Sequence, residues 1–262
     1  MYLVDSYSID NINYDVKGLP DGSSDNLIIW AHGWGHNSKS FAQLAESMSN
    51  LGTSYLLDLP GFGSSKEPDS VWGTDEYAQV FSEFIRLNSK DRRVFWVGHS
   101  FGGSVGVKLA GVYPDLLSGL GLIASAGLRS QRSVPKKIYV WSRIKAFKLA
   151  KKIATLFGVK HDRLYEIFGS TDYKQAGSMR KIMVKTINED LSQIAPKILC
   201  PTSIIYGAED TATPPVFGER YAALIKNSDL SILPKQDHYS LIGDGRHLVV
   251  KRLKDLVNAK AK

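Results

Sequence analysis

Three residues that together activate a nucleophile are spread along this chain of 262 residues. Ser100 is the centre of a Gly-x-Ser-x-Gly pentapeptide, and Asp210 and His238 follow it in that order. A serine hydroxyl is a weak nucleophile until a neighbouring imidazole takes its proton. A buried carboxylate then holds the imidazole in the right tautomer and stabilises its charged form. These residue types therefore predict acyl transfer through a covalent acyl-enzyme.

The sequence around Ser100 reads as a strand, a tight turn and a helix. An apolar run at residues 94–97 precedes the pentapeptide, and small residues that a helix accepts follow at residues 103–110. Such a turn holds the serine at a strained backbone angle, so that its hydroxyl stands free above the sheet. Gly98 and Gly102 lack side chains that would collide where strand and helix cross. A Gly/Ser-rich turn without chemistry is the alternative for the pentapeptide alone.

A second glycine-rich turn, residues 32–35 (His-Gly-Trp-Gly), follows the continuous apolar run at residues 27–31. Glycines just past a central strand let the backbone turn sharply and leave amides free for a ligand. We expect the amides of Trp34 and Phe101 to form an oxyanion hole, and Gly33, Trp34 and Phe101 to contact the substrate. Two alternatives remain: the glycines only end the strand, or the Trp34 side chain packs under a cap instead of lining the pocket.

Asp210 and His238 each follow a predicted buried strand, at residues 202–207 and 230–233. The loops at the carboxyl ends of parallel strands lie at one edge of a sheet, so both side chains are expected to meet Ser100 there. Two neighbouring carboxylates are alternatives to Asp210 as the acid: Glu209 and Asp237.

Strands alternate with helices along most of the chain, which predicts an α/β architecture with a mostly parallel sheet covered by helices. Loose alternation at residues 2–16 predicts antiparallel strands at a sheet edge. The alternation stops at residues 128–191, which have a helical pattern and no strand signals. We therefore predict a core domain formed by residues 1–127 and 192–262, with residues 128–191 as a helical cap, or lid, over the carboxyl ends of the strands.

Composition suits one large domain, with 43% hydrophobic and 23% charged residues. No uninterrupted apolar run approaches about 18 residues, and no basic region followed by an apolar block opens the sequence, so neither a transmembrane segment nor a secretory signal is expected. The single cysteine, Cys200, excludes an internal disulfide and predicts a cytoplasmic location. Its apolar surroundings indicate a buried, inert thiol. The histidines show no ligand spacing, so no metal and no cofactor are expected.

The net charge of +7 is unevenly distributed. Residues 128–191 contain 15 lysines and arginines against 5 acidic residues, whereas the rest of the chain contains 18 against 21. A basic cap would attract an anionic carrier, an anionic substrate tail or an acidic membrane surface. Nucleic acid is not expected, because no binding motif accompanies the charge. A solvated helix face on a lysine-rich protein is the alternative.

Five stretches together resemble the α/β-hydrolase superfamily, in its lid-bearing, single-domain esterase type, along essentially the whole chain. They are residues 32–35 (HGWG), 58–63 (DLPGFG), 98–103 (GHSFGG), 207–210 (GAED) and 237–238 (DH). The resemblance implies an eight-stranded, mostly parallel sheet with the cap inserted after the sixth strand. It implies Ser100 as nucleophile, His238 as general base, Asp210 as orienting acid, and the Trp34 and Phe101 amides as oxyanion hole.

The serine of the turn departs from haloalkane dehalogenases and epoxide hydrolases, which need a carboxylate nucleophile there. The HGWG loop and the basic cap are similar to those of esterases that act on pimeloyl-carrier-protein methyl ester. This implies a small-molecule carboxylic ester as substrate and an acidic acyl carrier as one partner for the cap. Thioesters, lactones, peracids and carbon–carbon bonds are alternatives for the same residues. So are a ligand-binding protein and an anionic-membrane-surface protein that perform no hydrolysis.

Overall fold

The computed structural model describes residues 7–20, 23–129 and 171–259, together with residues 142, 145, 147, 150 and 155. The described residues form seven strands: β1 (Tyr14–Gly18), β2 (Asn26–Ala31), β3 (Thr53–Leu57), β4 (Arg93–His99), β5 (Gly119–Ile123), β6 (Thr202–Gly207) and β7 (Ser228–Leu233). They make one sheet in the order β1-β3-β2-β4-β5-β6-β7. Only β1 runs antiparallel to its neighbour, and all other pairs are parallel.

The helices with described bounds are α1 (Ala42–Ser47), α2 (Thr74–Asn88), α3 (Phe101–Val112), α4 (Thr171–Gln175), α5 (Arg180–Ile187), α6 (Val216–Leu224) and α7 (Arg246–Asn258). Buried residues of α2, α3 and α6 belong to one hydrophobic core, and those of α1 and α7 belong to another. The sheet lies between these two cores.

Strand β2 shows why the central strands read as continuous apolar runs. Leu27, Ile29 and Ala31 are fully buried in the core with α2 and α3, whereas Ile28 and Trp30 are fully buried in the core with α1 and α7. Successive side chains of a strand point to opposite faces, so a strand covered on both faces needs apolar residues at every position. The predicted mostly parallel sheet covered by helices is thus confirmed.

The strand count differs from the eight that we expected. The described residues form seven strands, and the chain leaves the sheet for α4 and α5 after β5 rather than after a sixth strand. Within the predicted edge region, Ile9–Asn11 forms a 3-10 turn instead of a strand, because the Ser8 hydroxyl accepts a hydrogen bond from the Asp10 N–H. Residues 1–6 lie outside the described part of the chain.

The predicted cap, residues 128–191, is only partly covered by the structure. Its most basic stretch, residues 136–152, falls mainly outside the described residues. The carboxyl-terminal part is helical, in α4 and α5, and two contacts fasten it to the start of α2. The Glu189 carboxylate accepts hydrogen bonds from the N–H and hydroxyl of Thr74, and Lys185 Nζ lies 2.9 Å from Glu76 Oε1. The limits of the cap remain a prediction.

Cys200, just before β6, is buried, and burial raises the pKa of its thiol to about 11. The inert thiol expected from its apolar neighbours fits this position. No helix among the described residues has the length and apolar character required to cross a bilayer.

Candidate active site

Ser100 lies in the turn that joins β4 to α3. Its backbone has φ 51° and ψ −109°, a conformation that a non-glycine residue adopts at a cost of about 1–3 kcal/mol. Backbone hydrogen bonds hold it there: the Ser100 N–H donates to Ile123 O at 3.0 Å, and Ser100 O accepts the N–H groups of Gly103, Ser104 and Ala126, each at 3.1 Å. The Ser100 hydroxyl has no hydrogen-bond partner among the described residues and faces a cavity. The strained serine predicted from the sequence is present.

The two glycines of the pentapeptide are required by a close crossing. A Cβ added to Gly98 would lie 2.3 Å from Gly102 O, and one added to Gly102 would lie 2.1 Å from Ala31 O. The Gly102 carbonyl accepts a hydrogen bond from Trp96 Nε1 at 3.0 Å, and the Gly102 N–H donates to His32 O at 3.1 Å, so the backbone on both sides of this residue is held in place. The start of α3 therefore sits directly against the ends of β2 and β4.

His238 and Asp210 form a buried pair beside Ser100's cavity. The distance from His238 Nδ1 to Asp210 Oδ2 is 2.7 Å, and the two residues are 8% and 3% exposed. Burial alone would raise the pKa of Asp210. Hydrogen bonding and charge attraction from His238, with further bonds from Thr213, outweigh it and lower that pKa below its ordinary value. The ionised carboxylate fixes the proton on Nδ1, which leaves Nε2 as a base.

Thr213 supports this pair, although the sequence reasoning did not single it out. Its N–H donates to Asp210 Oδ1 at 2.8 Å, and its Oγ1 lies 2.9 Å from Asp210 Oδ2 and 2.9 Å from Ala124 O. The Ala212 N–H adds a third bond to the carboxylate, at 2.8 Å. The signal was the spacing Asp-x-x-Thr, in which an aspartate side chain caps the backbone that follows it.

The carboxylates of the two alternative acids, Glu209 and Asp237, do not pair with the His238 imidazole. Glu209 is exposed, and Asp237 is exposed with its Oδ1 accepting the N–H groups of Tyr239 and Ser240 at 3.0 and 2.8 Å. Within the described residues neither carboxylate is hydrogen-bonded to His238. Asp210 is therefore the acid that the structure brings to the imidazole.

His99, the residue before Ser100, is a second contact that sequence reasoning missed. Its Nε2 donates to His238 O at 2.9 Å, and the two imidazole rings are 4.7 Å apart. Burial, and then repulsion from His238, lower the pKa of His99 to about 3. His99 is thus neutral at ordinary pH, so it holds the His238 backbone without adding a charge that would oppose protonation of the base.

The turn after β2 directs the Trp34 amide toward the site. The Gly33 carbonyl is held by His32 Nδ1 at 2.7 Å and by the His36 N–H at 3.2 Å. In a trans peptide the carbonyl and the following N–H point in opposite directions, so the Trp34 N–H points away from His32. The N–H groups of Trp34 and Phe101 have no hydrogen-bond partner among the described residues. The oxyanion hole expected from these two amides remains a prediction.

His32 holds the Gly33 carbonyl as a neutral imidazole. The Leu59 N–H donates to His32 Nε2 at 3.0 Å, so the ring proton is on Nδ1 and is donated to Gly33 O. Burial lowers the pKa of His32 to about 4. Asp58, the first residue of the DLPGFG stretch, accepts the Ser38 and Ser64 N–H groups at 2.7 and 2.8 Å and fixes the neighbouring loops.

A cavity of about 510 Å³ connects these groups. Its lining includes Ser100, His238, Gly33, Trp34 and Phe101, so every predicted site residue reaches it except Asp210, which is hydrogen-bonded to His238. The Trp34 ring packs edge-to-face against Phe62 and Phe101, at centroid distances of 4.8 and 5.5 Å. It lines this cavity and also a second one of about 250 Å³.

Comparison with known proteins agrees with this geometry. The sequence pattern of the alpha/beta hydrolase family matches residues 28–252, most of the chain. The chain belongs to the alpha/beta hydrolase family. This membership agrees with the resemblance drawn from the HGWG, GHSFGG and DH stretches.

Two relatives of this alpha/beta hydrolase match at similar identity. A 2-hydroxy-6-oxo-6-(2'-aminophenyl)hexa-2,4-dienoic acid hydrolase of Metapseudomonas resinovorans is 26% identical, with 82% of this chain and 78% of the relative covered. A pimeloyl-[acyl-carrier protein] methyl ester esterase of Chromobacterium violaceum is 25% identical, with 87% and 91% covered. Among solved structures, an esterase from Exiguobacterium antarcticum superposes with a TM-score of 0.71 at 22% identity, covering 95% of this chain and 96% of that one. Family and relatives support a general hydrolase activity.

Proposed function

We propose that this alpha/beta hydrolase cleaves a carboxylic ester through an acyl-enzyme, with Ser100 as nucleophile, His238 as general base and Asp210 as orienting acid. One observation carries the proposal: the buried 2.7 Å hydrogen bond between His238 and Asp210 stands beside the cavity that the strained Ser100 also lines. A non-catalytic binding protein would have no need to keep a serine strained and an imidazole oriented at the same cavity.

In the proposed first half-reaction, Ser100 Oγ attacks the ester carbonyl carbon while its proton passes to His238 Nε2. The carbonyl oxygen becomes negative and accepts hydrogen bonds from the Trp34 and Phe101 N–H groups. The carbon–oxygen bond to the alcohol then breaks, and His238 gives its proton to the departing alkoxide. The alcohol leaves, and the acyl group stays on Ser100.

Water completes the cycle in the second half-reaction. His238 Nε2 takes a proton from a water molecule while the oxygen of that water attacks the acyl carbon. When the bond to Ser100 Oγ breaks, His238 returns the proton to that oxygen. Asp210 stays ionised throughout and stabilises the imidazolium in both halves. The products are one carboxylic acid and one alcohol per ester and water consumed.

The choice of an ester is supported by the name of one relative, since the Chromobacterium violaceum protein is named as an esterase. An ester linked to an acidic acyl carrier, docking on the basic residues 128–191, is the alternative substrate, because that name includes such a carrier. The cytoplasmic location inferred from the single cysteine stays a prediction.

The test is hydrolysis of a p-nitrophenyl ester series of increasing acyl length by the wild type and by Ser100→Ala. We expect kcat to fall about 10⁴- to 10⁶-fold in the variant, because no other side chain replaces the nucleophile. Ser47→Ala, an exposed serine on α1, is the control and should keep wild-type turnover. Turnover that survives in Ser100→Ala would reject the nucleophile, and a wild type without turnover of any ester would reject the small-ester substrate.

A further inference from the structure

The cavity wall carries two side chains with a fixed charge among the described residues, Arg129 and Glu189. Arg129 lies six residues beyond the end of β5, and Glu189 lies just beyond α5. The wall near them contains the polar residues Thr186 and Asn188 and four apolar side chains: Leu128, Met183, Ile187 and Phe217. Whether each of these charges already has a partner within the protein therefore determines which of them can bind a charged group of a ligand.

The Glu189 carboxylate is hydrogen-bonded within the protein. It accepts the Thr74 N–H, at 3.0 Å to Oε1, and the Thr74 hydroxyl, at the amino terminus of α2. A Cβ added to Gly73 would lie 2.1 Å from Glu189 Oε1, which shows how closely the carboxylate packs against that terminus. The helix dipole and these donors offset part of the cost of burying the negative charge, although burial still raises the pKa of Glu189 above its ordinary value. This carboxylate is not paired with Arg129.

Arg129 is not compensated in this way. Its guanidinium Nε and Nη2 donate to a single neutral acceptor, Asn188 O, at 3.4 and 3.2 Å. A guanidinium has five N–H donors, so most of its hydrogen-bonding capacity remains unused. No carboxylate of the described chain lies within ion-pair distance of it. An exposed cation therefore lies on the wall of a cavity that has both polar and apolar lining residues.

The backbone beneath Arg129 is fixed relative to the nucleophile. The Ala126 N–H donates to Ser100 O at 3.1 Å, and the Leu191 N–H donates to Gly127 O at 2.8 Å. Arg220 Nη1 donates to Arg129 O at 2.7 Å and places a second guanidinium on the same side. The backbone segment that carries Arg129 is therefore hydrogen-bonded directly to Ser100.

We propose that Arg129 binds a carboxylate at the far end of the substrate, so that the preferred esters are monoesters of dicarboxylic acids. The planar guanidinium matches a carboxylate with two parallel hydrogen bonds, and the apolar side chains of the wall accept the methylene chain between the two ends. The inference rests on the proposed function, because it names the substrate class of the same site.

The first test compares two esters of equal length, monomethyl adipate and methyl hexanoate, which differ by the terminal carboxylate. We expect the wild type to prefer the anionic ester, and Arg129→Gln to lower the ratio of the two kcat/KM values about tenfold, mainly through KM. Arg129→Lys keeps the charge but not the planar pair of donors, so it should keep part of the preference. An unchanged ratio in Arg129→Gln would overturn the proposal.

Arg86→Gln is the matched control. It removes the same charge from an exposed arginine on α2, about 18 Å along the helix from Thr74. This variant should keep the wild-type ratio. If Arg86→Gln lowers the ratio as much as Arg129→Gln, overall charge and not a carboxylate site explains the preference, and the proposal is rejected.

Calorimetric binding to Ser100→Ala separates this inference from the proposed function. Tighter binding of monomethyl adipate than of methyl hexanoate, lost when Arg129→Gln is added, supports the carboxylate site even if no ester is hydrolysed. If the wild type hydrolyses both esters with equal kcat/KM and Ser100→Ala binds them equally, the ester hydrolase stands and the carboxylate site falls.

Discussion

The carboxylate of Asp210 has donors on both oxygens. Oδ1 accepts two backbone N–H groups, from Ala212 and Thr213, whereas Oδ2 lies between the Thr213 hydroxyl and the His238 imidazole. The first oxygen fixes the position of the side chain, and the second fixes the tautomer of the base. A substitution that changes only the second oxygen therefore separates chemistry from structure.

We expect Asp210→Asn to keep the fold and to lower kcat about 10³- to 10⁴-fold. The amide oxygen can replace Oδ1, but an NH₂ group in place of Oδ2 would donate to His238 Nδ1 and move the ring proton to Nε2, where the base is needed. The measurement is kcat for a p-nitrophenyl ester, with urea unfolding to verify the fold. Asp237→Asn, at an exposed acid beside His238, should lose little activity; an equal loss in both variants would contradict the assignment.

The sequence was sufficient for the residues whose roles follow from a motif. Ser100, His238 and Asp210 each stand just past a predicted strand, and parallel strands bring their carboxyl ends to one edge. The Asp-x-x-Thr spacing could have indicated the contact between Thr213 and Asp210. The contacts of Thr213 with Ala124 and of Arg129 with Asn188 were out of reach, because they depend on how loops from separate strands approach each other. No spacing in the sequence states that Thr213 reaches both Asp210 and Ala124, or that Glu189 pairs with Thr74 rather than with Arg129.

At the scale of elements, the crossing of α3 over the ends of β2 and β4 positions Ser100, the proposed nucleophile. Gly102→Ala would place a Cβ 2.1 Å from Ala31 O, a backbone atom that cannot rotate away. We expect the free energy of unfolding to fall by about 3 kcal/mol, with loss of activity as the turn shifts. The measurement is urea unfolding followed by an ester assay on the folded fraction.

Gly243→Ala is the control for that variant. The nearest atom to its added Cβ is 3.4 Å away, and its φ is not positive, so the cost should be about 0.5 kcal/mol or less. If the two variants lose equal stability, the close crossing does not explain the need for Gly102.

Helix limits were predictable where capping and periodicity agree. The apolar periodicity of residues 74–87, with two acidic residues in the first turn, predicts a helix. It is observed as Thr74–Asn88, and the Gly73 N–H is capped by Glu76 Oε2 at 2.6 Å. Apolar residues at helical spacing over residues 41–51, before Gly52, also predict a helix. The observed helix is shorter, Ala42–Ser47, because the Met48 and Leu51 N–H groups bond to carbonyls three residues back. Tight turns can bury the same apolar side chains as a regular helix, so periodicity alone does not fix that end.

For the molecule as a whole, two buried histidines make stability depend on pH. The folded-state pKa values of His32 and His99 are about 4 and about 3, below the ordinary value of 6.5. Between that value and the folded pKa, the unfolded chain binds protons that the folded chain does not. The free energy of unfolding therefore falls as pH falls through this window, by roughly 1.4 kcal/mol per pH unit for each histidine.

We expect urea unfolding to give a free energy about 4 kcal/mol lower at pH 5 than at pH 7, of which His32 accounts for roughly half. His32→Gln should therefore show a loss of about 2 kcal/mol over the same interval. The lowered pKa of Asp210 costs stability only at more acidic pH, whereas the raised pKa of Glu189 works in the opposite direction. An unaltered pH dependence in His32→Gln would show that this histidine is not the source.

The position of Cys200 makes its thiol a probe of local unfolding in the core around β6. The thiol is 7% exposed, belongs to the core shared with α2 and α3, and directly precedes the strand by which the chain returns to the sheet. A thiol reagent reacts with the thiolate, which is scarce while the pKa is near 11 and abundant only once this region opens. With no second cysteine in the sequence, the labelling rate in native buffer measures the opening equilibrium at one defined point.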